Sequence, residues 1–135
     1  MTRYLLDTNI VSDLVRHPHG RVAQRIRSVG EAHICTSIII AAELRYGAAK
    51  KSSPKLTAQL AAILGAFEVV PFEAPADLTY GQIRARLEQM GMPIGGKDLL
   101  IAAQAVTMGL TLVTDNEKEF GRIEGLAREN WLRSA

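Results

Sequence analysis

Four short apolar segments constrain this chain more than any other feature: Tyr4-Leu5-Leu6, Ala32-His33-Ile34-Cys35-Thr36, Phe67-Glu68-Val69-Val70 and Thr111-Leu112-Val113-Thr114. None keeps a regular apolar–polar alternation, so none reads as a strand with one wet face. Long stretches of helical periodicity lie between them. Strands buried on both faces and joined through helices belong to a parallel sheet covered on both sides. The expected fold class is therefore α/β, a three-layer α/β/α sandwich around a central parallel sheet. At 135 residues the chain fits one domain, spanning 1–135, with room for one core.

The helical stretches carry their own stop signals. Ile10, Val11, Leu14 and Val15 share a face that ends at Arg16-His17-Pro18, where proline disfavours helix in the residue before it. Val22, Ile26 and Val29 mark a second helix, closed by Gly30. Ser37 is placed to cap a helix reaching Lys50. Leu56, Leu60 and Leu64 define another, with Gly65 as its stop, and Leu78, Ile83, Leu87 and Met90 form the apolar stripe of the next. Asp98 to Met108 is nearly all apolar, a buried helix ended by Gly109. A weak edge strand is expected near Leu126. No repeat, low-complexity segment or linker interrupts this order.

In an open parallel sheet, sites form beyond the carboxyl ends of the strands. Asp7 follows the first strand there, and Thr114, Asp115 and Asn116 follow the fourth. Glu43 interrupts Ile38-Ile39-Ile40-Ala41-Ala42, and Asp98 opens the apolar helix. Each acid also has a purely structural reading. Asp7 or Asp98 can cap a helix, Glu43 can sit on a wet helix face, and Asp115, Glu117 and Glu119 can form a solvated turn. Read jointly, the acids point to a cluster whose mutual repulsion needs a cation. Hard oxygen ligands with few histidines suit Mg²⁺ or Mn²⁺. His17, His19 and His33 lack zinc-site spacing.

Composition narrows the rest. Cys35 is the only cysteine, which excludes an internal disulfide and suits a reducing compartment. Asp7 comes too early for a secretory leader, and the run Ile38–Ala42 ends at Glu43, too short to cross a bilayer. A cytoplasmic protein with no membrane partner is expected. The net charge of +2 says little about partners. Arg21, Arg25 and Arg27, and Lys50, Lys51 and Lys55, form two basic clusters, each read most simply as a solvated helix end.

Four stretches in order, Leu-Leu-Asp-Thr-Asn (5–9), Ala-Ala-Glu-Leu-Arg-Tyr-Gly (41–47), Lys-Asp-Leu-Leu-Ile-Ala-Ala-Gln-Ala (97–105) and Leu-Val-Thr-Asp-Asn-Glu-Lys-Glu-Phe (112–120), resemble the PIN-domain ribonucleases. Length and motif order are most similar to the VapC toxins of bacterial type II toxin–antitoxin pairs. The resemblance runs from about Tyr4 to Trp131. It implies a Mg²⁺- or Mn²⁺-dependent endoribonuclease acting on structured RNA such as tRNA, a homodimer, and a cognate VapB-type antitoxin lying over the site. Position by position, Asp7, Glu43 and Asp98 match the family's acidic metal site, and Thr114 its small hydroxyl residue. Asn116 falls where many members have a fourth acid, with Asp115 one residue early. Glu119 and Asn9 are expected behind the ligands. Lys97, where many members carry a neutral residue, is expected to point to water.

Two rival readings remain at this stage. A haloacid-dehalogenase-like phosphotransferase also begins with Asp after its first strand, yet it wants a second Asp where this chain has Asn9. A PIN-like binding module without catalysis would lack a core acid, while Asp7, Glu43 and Asp98 are all present. A receiver-type signalling domain is excluded by the absence of Asp at the end of the third strand, which runs into Pro71-Phe72.

Overall fold

The computed structural model describes residues 2–133. In chain order its elements are β1 (Tyr4–Leu6), α1 (Thr8–Arg16), α2 (Arg21–Val29), β2 (Ile34–Ser37), α3 (Ile38–Lys51), α4 (Pro54–Ala66), β3 (Glu68–Val70), α5 (Ala76–Gln89), α6 (Gly96–Met108), β4 (Thr111–Val113), α7 (Glu117–Phe120) and β5 (Arg128–Glu129). The sheet order is β3-β2-β1-β4-β5, and every pairing is parallel. The expected three-layer α/β/α sandwich is what forms.

The two faces of the sheet explain why the strands do not alternate with polar residues. Leu5, Cys35 and Leu112 pack on one side with Leu87, Leu99 and Ala102 of α5 and α6. Leu6, Ile34 and Val113 pack on the other with Ile10, Val22, Ile26 and Leu60 of α1, α2 and α4. Successive residues point to opposite faces, so a strand wet on neither side is apolar throughout. Burying each such Leu or Ile contributes about 1.5–3 kcal/mol. Burial also pushes the Cys35 thiol up to about 11, so it behaves as a small packed hydrophobe rather than a nucleophile.

Several element boundaries differ from the sequence reading. Glu31–His33 is a 3₁₀ turn, and β2 begins only at Ile34, where it meets Tyr4 of β1. Helix α4 runs through Gly65 to Ala66, because no left-handed turn is needed there: Phe67 ends the helix in extended conformation. The buried face of α5 is Ala76, Tyr80, Ile83 and Leu87, while Leu78 and Met90 are exposed. The true stripe follows the i, i+4, i+7, i+11 rule, which Leu78 breaks. The edge strand lies at Arg128–Glu129, just beyond Leu126, which is buried in the core. No helix among the described residues is long and apolar enough to cross a membrane.

Candidate active site

The order of the sheet places the acids. The chain leaves β1 for β2 on one side and returns to β1's other side as β4. Adjacent strands whose crossovers run in opposite directions leave a crevice at their carboxyl ends. Asp7 and Thr114, the residues following β1 and β4, both face it.

Asp7 is buried, with 5 % of its surface exposed, and caps α1. One carboxylate oxygen accepts from the Thr8 backbone N–H at 2.8 Å, the other from the Thr114 hydroxyl at 2.7 Å. Its own N–H donates to the Val113 carbonyl at 2.9 Å, tying β1 to β4 at the crevice. Each oxygen keeps a further lone pair. The capping role and a ligating role are therefore compatible, one using what the other leaves.

Thr114 is fully buried, and its Oγ1 also accepts the Asn116 backbone N–H at 3.0 Å. The Asn116 side-chain N–H₂ then donates to Asp98 at 3.1 Å and to Glu119 at 3.1 Å. A continuous hydrogen-bonded line thus runs from Asp7 through Thr114 and Asn116 to two more carboxyls. Asp98 does not cap its helix. Gly95 takes that position, and Asp98 sits in the first turn of α6, where the helix dipole favours a negative charge. Even so its carboxyl is pushed up to about 7, first by burial, then by its hydrogen bond to Glu119 and the charge of Asp7. Glu119 is held below its ordinary value, chiefly because Asp98 donates to it and Asn116 does as well.

The remaining expected residues are less central. Asp115 points away, its carboxylate accepting from Asn130 at 2.8 Å and facing Arg133 at 3.4 Å. Asn9 Oδ1 accepts the Asp115 backbone N–H at 3.4 Å, bracing the turn after β4. Glu43 is exposed on α3, its carboxylate 3.9 Å from the Lys97 ammonium. Lys97 does not simply point to water, as the sequence reading had it; it reaches toward Glu43 because an unpaired carboxylate lies within its span. Glu119, expected behind the ligands, contacts Asp98 directly. Among the described residues, no three His, Cys, Asp or Glu side chains converge on a common point as they stand.

A cleft of about 420 Å³ opens over Asp7, Asn9, Lys97, Asp98 and Asn116, with Ser12 and Arg16 on its rim. Ser12 and Arg16 were missed from the sequence, although Thr8, Ser12 and Arg16 at i, i+4, i+8 form the polar stripe opposite the apolar face of α1. The two basic clusters lie outside the cleft. Arg25 pairs with Glu129 and stacks over Trp131, and Arg21 donates to the Leu132 carbonyl. The cleft's donors, carboxylate and amide oxygens and hydroxyls, fit a hard divalent cation. Burial and the neighbouring Glu119 and Asp7 carboxyls raise the Asp98 carboxyl against the opposing Lys97 charge, and the buried Thr8 hydroxyl on the cleft wall has no partner.

Comparison with known proteins agrees with this geometry. Residues 4–126 match the PIN domain family. The chain is 41% identical to the protein named Ribonuclease VapC2 of Rickettsia felis over 95% of this chain and 97% of that one. It is 35% identical to the tRNA(fMet)-specific endonuclease VapC of Shigella flexneri, over 97% and 99%. Among solved structures, VapBC2 of Rickettsia felis bound to a promoter DNA fragment superposes with a TM-score of 0.90 at 37% identity, covering 96% of this chain and 99% of that chain. VapBC of Salmonella typhimurium bound to DNA gives 0.85 at 34%, over 97% and 99%. The phosphotransferase reading falls with these matches. The chain belongs to the PIN-domain family and, within it, groups with the VapC ribonucleases.

Proposed function

We propose that this protein is the toxin of a type II toxin–antitoxin pair, an endoribonuclease that hydrolyses phosphodiester bonds in structured RNA with Mg²⁺ or Mn²⁺. The whole chain, 1–135, works as one domain in the cytoplasm, where its RNA is found. The observation that carries this reading is the line Asp7–Thr114–Asn116–Asp98–Glu119 at the switch point of the sheet. A divalent ion bound there lowers the pKa of a coordinated water and offsets charge building on the phosphate.

The chain's own residues prepare that chemistry. Asp7 and Asp98 would hold the ion as its principal ligands. Thr114 fixes the Asp7 rotamer, and Asn116 fixes the spacing of Asp98 and Glu119, as outer partners of ligating carboxylates do. Glu43 completes the ligand set or orients the attacking water. Arg16 and Lys97 on the rim offset the repulsion between these acids and RNA phosphates.

The relative named a tRNA(fMet)-specific endonuclease makes tRNA the first substrate to try. The solved VapBC assemblies support a VapB-type antitoxin as partner. An antitoxin cation reaching the carboxylates would inhibit by supplying the charge the metal otherwise brings. A homodimer is supported by exposed apolar residues on one face of α3, Ile38 at 48% and Tyr46 at 64% exposure. The test is digestion of total small RNA by antitoxin-free protein with Mg²⁺ or Mn²⁺, followed by end-mapping. Discrete tRNA fragments that disappear when the neighbour-encoded partner is added are expected. Intact RNA from folded, metal-supplied protein would sink the reading.

A further inference from the structure

Lys97 and Glu43 form an ion pair whose placement links the acid cleft to a neighbouring groove. The Lys97 side chain lines the acid cleft beside Asp7 and Asp98. Glu43 instead lines a neighbouring groove of about 240 Å³, together with Leu44 and Lys51. Thr8, Ser12 and Arg16 form the wall common to both spaces. The Thr8 hydroxyl, buried and without a partner, is on that wall. A buried hydroxyl with no acceptor is costly, so the wall between the two spaces is polar and incompletely satisfied. The pair itself is easily exchanged: the ions are 3.9 Å apart, with 40% and 46% of their side chains exposed.

We propose that Lys97 is a positioning residue that holds Glu43 out of the metal site until ion and RNA arrive. Glu43 would then turn to the ion and Lys97 to an RNA phosphate. The site is thereby completed in the presence of substrate, and the free enzyme binds its metal less tightly than its carboxylates allow. This inference rests on the nuclease reading above and adds a residue that couples metal loading to RNA binding. By linkage, RNA and metal each raise the affinity of the other through this pair.

The test is calorimetric titration of Mn²⁺ alone into RNA-free, antitoxin-free protein: wild type, Lys97→Met, Glu43→Gln and the double variant. Lys97→Met is expected to bind Mn²⁺ about threefold more tightly than wild type, the size an exposed pair can supply. That gain should be lost in the Glu43→Gln background, where no carboxylate remains to release. The same Lys97→Met variant should raise the KM for RNA about threefold, because a charge-assisted phosphate contact is gone. Lys97→Arg should restore both values. A gain of equal size in both backgrounds would show that Lys97 acts only as a nearby charge and would overturn the proposal. An unchanged KM for RNA would overturn it too. If none of the four proteins binds Mn²⁺, the metal-nuclease reading itself fails, and this inference with it.

Discussion

One hydroxyl organises the site. Thr114 Oγ1 donates to Asp7 and accepts from the Asn116 backbone N–H, so it fixes the Asp7 carboxylate and the residue that holds Asp98 and Glu119. Thr114→Val keeps the shape but removes both bonds. We expect a ten- to hundredfold loss of Mn²⁺ affinity, roughly the cost of losing an outer partner of a ligand, with Thr114→Ser close to wild type by the same titration. Asp98 sets the pH dependence. Its carboxyl lies at about 7, above the ordinary 3.8, so folding favours its protonated form. The stability it contributes is full below the ordinary value and is lost as pH rises through about 7. Ligand and proton compete for the same oxygens, so Mn²⁺ affinity should climb with pH by up to about tenfold per unit below that point. Asp98→Asn should flatten the fall in the chelated protein's Tm between acid and neutral pH. A Tm that rises over that interval in wild type and not in the variant would contradict the assignment. Asp7 and Asp98 stood out because one ends an apolar strand and the other opens an apolar helix. Glu119 was expected behind the ligands from the resemblance; the residues alone gave an acid in a polar turn, since its approach to Asp98 depends on the turn through Asn116.

At the scale of elements, the turns and buried polar clamps decide where helices stop and strands lie. Gly109, at φ 66°, ends α6, and the Leu110 N–H closes back on the Ala105 carbonyl at 2.9 Å. A side chain there meets no neighbour within 4 Å, so the cost of Gly109→Ala is backbone strain alone. It should destabilise by about 1 kcal/mol, and Gly109→Asn by less, measured by urea unfolding. Gln104 presents the opposite case, a polar side chain buried in the largely apolar helix α6. Its Nε2 donates to the Val70 and Pro71 carbonyls at 3.0 and 2.8 Å, fastening the end of β3 to α6. Gln104→Leu leaves those carbonyls unpaired by the side chain and should cost about 1–3 kcal/mol in the same experiment. The helix stops at Gly30 and Gly109 were readable because a left-handed residue is needed there. Gly65 misled because glycine also tolerates ordinary helix. The exposed Leu78 misled because periodicity cannot say which face of a helix finds a neighbour.

For the molecule as a whole, the sheet order is what converts a list of acids into a site. Asp7, Asp98 and the Thr114–Asn116 turn come from three separate stretches of sequence, and only the reversal of crossover direction between β1 and β4 brings them to one crevice. The fold class was legible because doubly buried strands and intervening helices admit few arrangements. The resting place of Glu43 was not, because it depends on a flexible pair with Lys97 rather than on the backbone. We place the metal-dependent nuclease centre of this proposal in the Asp7–Asp98 crevice. The most direct test of that placement compares RNA cleavage by wild type, Asp7→Asn and Asp98→Asn, purified alike and shown to be folded by circular dichroism, with Mn²⁺ and with excess chelator. Cleavage by wild type should require the metal, and each variant should lose at least about a hundredfold in rate, as removal of a charge that stabilises the transition state does. Full cleavage by either folded variant would place the chemistry elsewhere in the molecule and contradict the account.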